Sequence, residues 1–138
     1  MSSEEIQQII IQAGRNIISE IGLGHSEMIY QKCLQHYLRN LDFKVEIEKT
    51  YPVIFDDIQV GFCRPDLVIS NQDYVISGQD HNNIILEIKT TLTLSKQAKA
   101  QLQKYEKYSN LSFLVNFPPQ VGTTDIEIFK QERNTNLN

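Results

Sequence analysis

Two charged motifs sit inside stretches that are otherwise apolar enough to line the inside of a sheet. Arg64-Pro65-Asp66 follows Ile58-Gln59-Val60-Gly61-Phe62, and Leu86-Glu87-Ile88-Lys89 grows out of the run Ile84-Ile85-Leu86. Burying a carboxylate costs several kcal/mol unless a partner or a metal meets it. A chain that keeps Asp66 and Glu87 at strand ends must fold so that something stands opposite them. Strand side chains alternate between faces. Glu87 and Lys89 therefore point the same way as Ile85, while Ile84, Leu86 and Ile88 point the other way.

The rest of the chain reads as one α/β domain around these strands. Ile6, Ile9, Ile10, Ala13, Ile17 and Ile21 recur at helical spacing, which predicts a helix over Ser3 to Ile21. Gly22-Leu23-Gly24 ends it, and Ser26 caps a second helix running to about Asn40. Phe43, Val45 and Ile47 alternate with charged residues, so a strand with one wet face runs on to about Phe55. Asp56-Asp57 turns it into a second strand, Ile58 through Ile69, forming a hairpin. Ser70 to Asn83 is a polar loop in which Tyr74-Val75-Ile76 is a weak strand candidate. Ile84 to Lys89 is a third strand, Ser95 to Tyr108 a helix, and Leu111 to Phe117 a strand stopped by Pro118-Pro119. Asp125 to Phe129 reads as an edge strand and the polar tail after Lys130 as frayed. The order ααβββαβ(β) gives a central mixed sheet flanked by helices. There is no internal repeat.

Composition narrows the function. With 138 residues, the chain suits one domain spanning its full length. A hydrophobic fraction of 41% and a net charge of -4 argue against disorder and against a generally basic nucleic-acid coat. Any polyanion would have to bind through a local patch or a metal. The acidic start Met1-Ser2-Ser3-Glu4-Glu5 lacks the features of a signal peptide, and no apolar run is long enough to span a bilayer. An intracellular location, cytoplasmic or nuclear, is the expectation, including for a virus-encoded protein. Cys33 and Cys63 are too few for a disulfide framework and read as buried thiols.

Each charged residue has a plain structural reading. Glu87 and Lys89 could form a cross-strand salt bridge on a wet sheet face, and Asp66 could simply end a strand after Pro65. Glu27 shares a helix face with Tyr30, Leu34, Tyr37, Leu38 and Leu41, where an acid in the first turn also suits the helix dipole. Tyr30 reads as packing or as a hydroxyl partner of Glu27. In the third helix Leu94, Ala98, Gln101, Leu102, Tyr105 and Tyr108 share the inward face, with Gln101 and Tyr105 its polar-tipped members. Lys96, Lys99 and Lys107 lie nearly opposite and read as a solvated stripe. His25, His36 and His81 lack a second histidine at ligand spacing. Taken together, an Asp followed by Glu-x-Lys, with a further acid on an inward helix face, is the donor pattern of a Mg²⁺-dependent phosphodiesterase.

These pieces resemble a known family. Gly24-His25-Ser26-Glu27-Met28-Ile29-Tyr30 matches the Gly-x-x-Glu-x-x-Tyr signature of the GxxExxY proteins, a group in the PD-(D/E)XK nuclease superfamily on the branch resembling the bacterial recombination exonucleases. Arg64-Pro65-Asp66, Leu86-Glu87-Ile88-Lys89, Gln101-x-x-x-Tyr105 and Leu114-Val115-Asn116-Phe117 continue the match in order, over roughly Ile18 to Phe117. The resemblance implies the restriction-endonuclease-like core. It implies that Asp66 and Glu87 ligate Mg²⁺, or Mn²⁺ in its place, with the Ile88 carbonyl a further ligand and Glu27 completing or orienting the site. Lys89 would position the attacking water and stabilise charge on the phosphate. Gln101 and Tyr105 would contact the phosphate backbone or hold Lys89 and Glu87 in place. The implied partner is nucleic acid, DNA in particular, with a homodimer or a partner protein supplying substrate choice. The rival expectation is a catalytically silent module of the same shape that binds nucleic acid or a protein, and a third is an ion-pair cluster without ligand.

Overall fold

The computed structural model describes residues 1–75, 82–119 and 125–133. Helix α1, Ser3–Ile21, starts where the Ser2 hydroxyl accepts from the Glu5 N–H. It buries Ile6, Ile10, Ala13 and Ile17, the stripe expected from its spacing, while Ile21 lies exposed at its end. Helix α2, Glu27–Arg39, is capped by Ser26 and buries Tyr30, Leu34 and Leu38. Tyr37 packs at the margin of this core and Leu41 is exposed.

Strand β1 is Lys44–Glu46, β2 Tyr51–Phe55, β3 Ile58–Cys63, β4 Leu67–Ser70, β5 Ile84–Lys89, β6 Leu111–Asn116 and β7 Glu127–Glu132. Five of them form one sheet in the order β1-β4-β5-β6-β7, and β2-β3 form a separate two-stranded sheet. β5 and β6 are parallel, and the other neighbours are antiparallel. The parallel pair is joined by helix α3, Lys96–Gln101, and a 3₁₀ turn over Leu102–Tyr105.

The expected central mixed sheet flanked by helices is therefore present, with two of its strands divided. The stretch from Phe43 to Phe55 is broken at Glu48, whose φ of 64° is left-handed and cannot continue a strand. The stretch from Ile58 to Ile69 is broken at Pro65, which has no N–H for a ladder. In each case the half nearer the Asp56-Asp57 turn leaves the main sheet for the hairpin. Both turn aspartates have positive φ, 52° and 62°, as a tight two-residue hairpin of matching twist demands.

Other differences are smaller. The helix expected over Ser95 to Tyr108 tightens to 3₁₀ after Gln101. Tyr74 and Val75 are not in a strand, and Ile76 lies outside the described residues. The edge strand continues beyond Phe129, because Lys130, Gln131 and Glu132 all pair with β6. Of the tail after Lys130 expected to fray, Gln131 and Glu132 belong to this strand and the Arg133 N–H donates to the Asn110 carbonyl at 2.9 Å; residues 134–138 lie outside those described.

The sheet has two unlike faces. α1 and α2 cover one, where Leu67, Ile69, Ile84, Leu86, Ile88, Phe113 and Val115 join the larger apolar cluster. The other carries a smaller cluster of Val68, Ile85, Leu94, Leu102, Tyr105 and Leu114, with Tyr51 and Cys63 at its margin. β5 alternates as its sequence requires: Ile84, Leu86 and Ile88 enter the larger cluster, and Ile85 enters the smaller one.

Candidate active site

Glu87 and Lys89 follow Ile85 onto the thinner face, and both are partly buried. Asp66 directly precedes β4, whose Leu67 pairs with Leu86. Antiparallel register thus carries Asp66 alongside Glu87. Asp66 Oδ2 accepts from the Ile88 N–H at 2.8 Å, which fixes the carboxylate against β5. From below, Gln31 Nε2 donates to the Asp66 carbonyl at 3.1 Å. From above, the Tyr105 hydroxyl donates to Glu87 Oε1.

Electrostatically this is a crowded acid pair. Burial, reinforced by the neighbouring Asp66 carboxylate, pushes Glu87 up from its ordinary 4.5 to about 7. The Tyr105 hydrogen bond and the Lys104 ammonium act in the opposite direction. Tyr105 itself is pushed far above its ordinary range by burial and by its bond to Glu87. Among the described residues no ion pair includes Asp66, Glu87 or Lys89. The plain salt-bridge reading of Glu87 with Lys89 therefore has no counterpart in the structure.

Glu87, Lys89, Gln101, Lys104 and Tyr105 line a cleft of about 40 Å³. The cleft is roomy enough to admit water. Past Lys89 and Gln101 it adjoins a wider groove of about 300 Å³, lined by Thr91, Thr93, Ser95 and Gln97. The loop bordering that groove is pinned from beneath by fully buried Asn116. Its amide accepts from the Thr91 N–H and donates to the Thr91 carbonyl, both at 2.8 Å. Glu127 of β7 completes the clamp by accepting from the Leu94 N–H at 2.9 Å.

Asp66, Glu87, Lys89, Gln101 and Tyr105 are thus gathered on one face, Gln101 exposed at the rim and Tyr105 buried. Ile88 lies between Glu87 and Lys89, its side chain in the opposite core. Glu27 is placed differently. It opens α2 on the other side of the sheet and is exposed. Helix geometry puts it one turn before Gln31, on the side that meets Asp66. Among the described residues no group of three His, Cys, Asp or Glu side chains is arranged to hold a metal ion. The convergence of three carboxylates expected from the sequence is in this structure a pair, Asp66 and Glu87.

Tyr30 does not partner Glu27. It is fully buried, its hydroxyl donates to the Gly22 carbonyl at 2.9 Å, and its ring stacks on Phe117 at 4.3 Å. The glycine of the same motif, Gly24, has φ 96°, a conformation other residues rarely adopt. His25 Nε2 meets the Ile21 carbonyl at 2.8 Å, His36 meets the Asn40 amide, and His81 lies outside the described residues. Lys96 and Lys107 are exposed, and the Lys99 ammonium sits 5.2 Å from the Phe129 ring centre, so this stripe points away from the cleft.

Sequence reasoning missed Gln31, Lys104 and the part played by Asn116. Gln31 was legible as the residue one turn after Glu27. Lys104 was legible in the same way, three residues after Gln101 and so on the same side of the turn.

Comparison with known proteins now supplies the family. A family model for the PD-(D/E)XK nuclease superfamily matches residues 4–128. The chain belongs to this superfamily. Its fold is similar to a solved structure described as the crystal structure of SSO0001, with a TM-score of 0.52 and 21% identity over 78% of this chain. The chain spans about half the length of that protein, 50%. Comparison with curated proteins returns no match. No helix among the described residues is long and apolar enough to cross a membrane. Membership of the superfamily suggests a nuclease, nucleic acid as partner and a divalent metal as cofactor.

Proposed function

We propose that the protein is a metal-dependent nuclease of the GxxExxY group that hydrolyses phosphodiester bonds, with DNA as its substrate. The observation that carries this reading is the partly buried Asp66–Glu87 pair, crowded enough to raise Glu87, beside a lysine that makes no ion pair with either acid. The donor set fits a hard divalent cation, since carboxylate and carbonyl oxygens suit Mg²⁺ or Mn²⁺. Asp66, Glu87 and the Ile88 carbonyl would hold it, and Glu27 would complete or orient the site from the start of α2. When bound, such an ion polarises the phosphate and makes a hydroxide-like nucleophile available near neutral pH.

The remaining chemistry falls to this chain's own groups. Tyr105 holds Glu87 in place through its hydroxyl. The Ile88 N–H and Gln31 hold Asp66 from two sides. Lys89 orients the attacking water and stabilises negative charge as it develops on the phosphate. Gln101, at the mouth of the cleft, contacts a phosphate oxygen of the bound strand. Thr91, Thr93, Ser95 and Gln97 offer hydroxyl and amide donors for the phosphates of adjacent nucleotides along the groove. The acid pair and the net charge of -4 make nucleic-acid binding depend on the cation rather than on a basic surface.

The test is incubation of the full chain with Mg²⁺ or Mn²⁺ and labelled single- and double-stranded DNA and RNA. Cleavage of DNA is expected, lost in Glu87→Ala and in Lys89→Ala. Cleavage unchanged in both variants would remove the assignment. Tight binding without cleavage by the unaltered protein would make it a non-cutting module of the same fold.

A further inference from the structure

The β2–β3 hairpin is the part of the fold that the candidate site does not use. Its inner side meets the domain: Tyr51 and Cys63 pack at the margin of the smaller cluster, and Tyr108 stacks on Tyr51 with ring centres 4.9 Å apart. The Tyr108 hydroxyl also donates to the Pro52 carbonyl at 2.7 Å. Val53 and Gly61, further along the same side, are partly buried. The opposite side carries Pro52, Ile54, Val60 and Phe62, all exposed. A register shift between Val53 and Ile54 leaves Val60 as the extra residue and twists this side outward. At the tip, Phe55 and Ile58 project beyond the domain.

Ile54, Phe55, Ile58, Val60 and Phe62 are between 53% and 72% exposed. Side chains of these sizes present together roughly 600 Å² of apolar surface, as large as the biggest patch on an ordinary monomer. A stable interface buries about 800 Å² per partner, so this face supplies most of one.

Charge identifies the occupant. Tyr51 to Cys63 contains no lysine or arginine and carries Asp56 and Asp57 at its tip, which disfavours a phosphate backbone. At the base, Arg64 directly follows β3, is exposed and makes no ion pair among the described residues, whereas Lys49, two residues before β2, is already paired with Glu46 at 3.2 Å. An acidic tip and an unpaired arginine at opposite ends of one apolar face are complementary to themselves when two copies lie antiparallel. We propose that the outer face of the β2–β3 hairpin is an isologous dimer surface, on which a second copy of this chain lays the Asp56-Asp57 tip of its hairpin against Arg64 at the base of the first.

The experiment is sedimentation velocity on the full chain across a range of concentrations, and it does not depend on whether the protein cuts nucleic acid. The mass is expected to double with concentration. Val60→Asp and Phe62→Asp should each weaken association roughly tenfold or more with unchanged circular dichroism, since both side chains are already in solvent in the monomer. Asp57→Lys and Arg64→Glu should each weaken self-association, and mixing these two variants should restore it, because both tip-to-base contacts are then oppositely charged. A chain that stays monomeric throughout, or a dimer indifferent to Val60→Asp and Phe62→Asp, overturns the proposal. Failure of the mixed pair to recover overturns the antiparallel arrangement.

Discussion

The two faces of the central sheet divide the work of this protein. On one, α1 and α2 close a continuous apolar cluster over Ile84, Leu86 and Ile88 of β5. On the other, a short helix, a 3₁₀ turn and the base of a hairpin cover the same strand thinly and leave Glu87 and Lys89 beside a cleft. The thick face supplies the stability that lets the thin one hold a crowded acid pair. A buried like-charge pair is unfavourable by itself and persists only where the surrounding structure fixes it.

The first way to break this comparison is to alter neighbouring residues of β5 in opposite directions. Leu86→Ala should lower unfolding free energy by about 2–5 kcal/mol in urea titrations, through a cavity in the apolar cluster. Lys89→Ala should leave stability nearly unchanged yet lower the cleavage rate roughly 10²–10³-fold in single-turnover assays. If Lys89→Ala destabilises as much as Leu86→Ala, the division between the faces is wrong.

The second concerns pH. The Glu87 carboxyl is raised on folding from 4.5 to about 7. A group raised in this way contributes fully to stability below its unfolded value, and that contribution is lost as pH rises through the folded value. The metal-free protein should therefore lose up to about 3 kcal/mol between roughly pH 4.5 and pH 8 from this group, at 1.36 kcal/mol per unit. Denaturant titrations of the Glu87→Gln protein should show a flatter profile over that window. An identical slope in both proteins would mean that Glu87 is not the acid being titrated.

Third, Tyr105→Phe removes only the hydroxyl that holds Glu87. Second-layer losses of this kind weaken metal affinity about 10–100-fold, measurable by calorimetric Mn²⁺ titration with the melting temperature as a control for folding. Unchanged affinity would show that Asp66 alone orients the pair. The smallest effect expected is from Gln31→Ala, which removes one hydrogen bond to the Asp66 carbonyl, worth about 1 kcal/mol in thermal unfolding. A larger effect on Mn²⁺ affinity than on stability would make Gln31 a positioning residue that ties the thick face to the site.

Much of this was legible before any coordinates. Helical spacing of isoleucines placed α1, and alternation in β5 assigned Glu87 and Lys89 to the face opposite Leu86. The same logic put Gln101 and Tyr105 on one side of the crossover, where they do line one cleft with Glu87 and Lys89. The thick face was legible too, because burial follows directly from period.

What local pattern could not decide is which strand pairs with which. Ile58 to Ile69 has the composition of one strand, and only the tertiary structure shows the hairpin leaving the sheet at Pro65 and exposing Phe55, Val60 and Phe62. Glu27 and Asp66 carry the right chemistry, but their relation depends on how α2 packs against the start of β4, which no spacing encodes. By itself the sequence determined which residues turn inward on each element, since that depends on backbone periodicity alone. The tertiary structure decided which inward residues meet, because meeting depends on register and crossover between segments far apart in the chain.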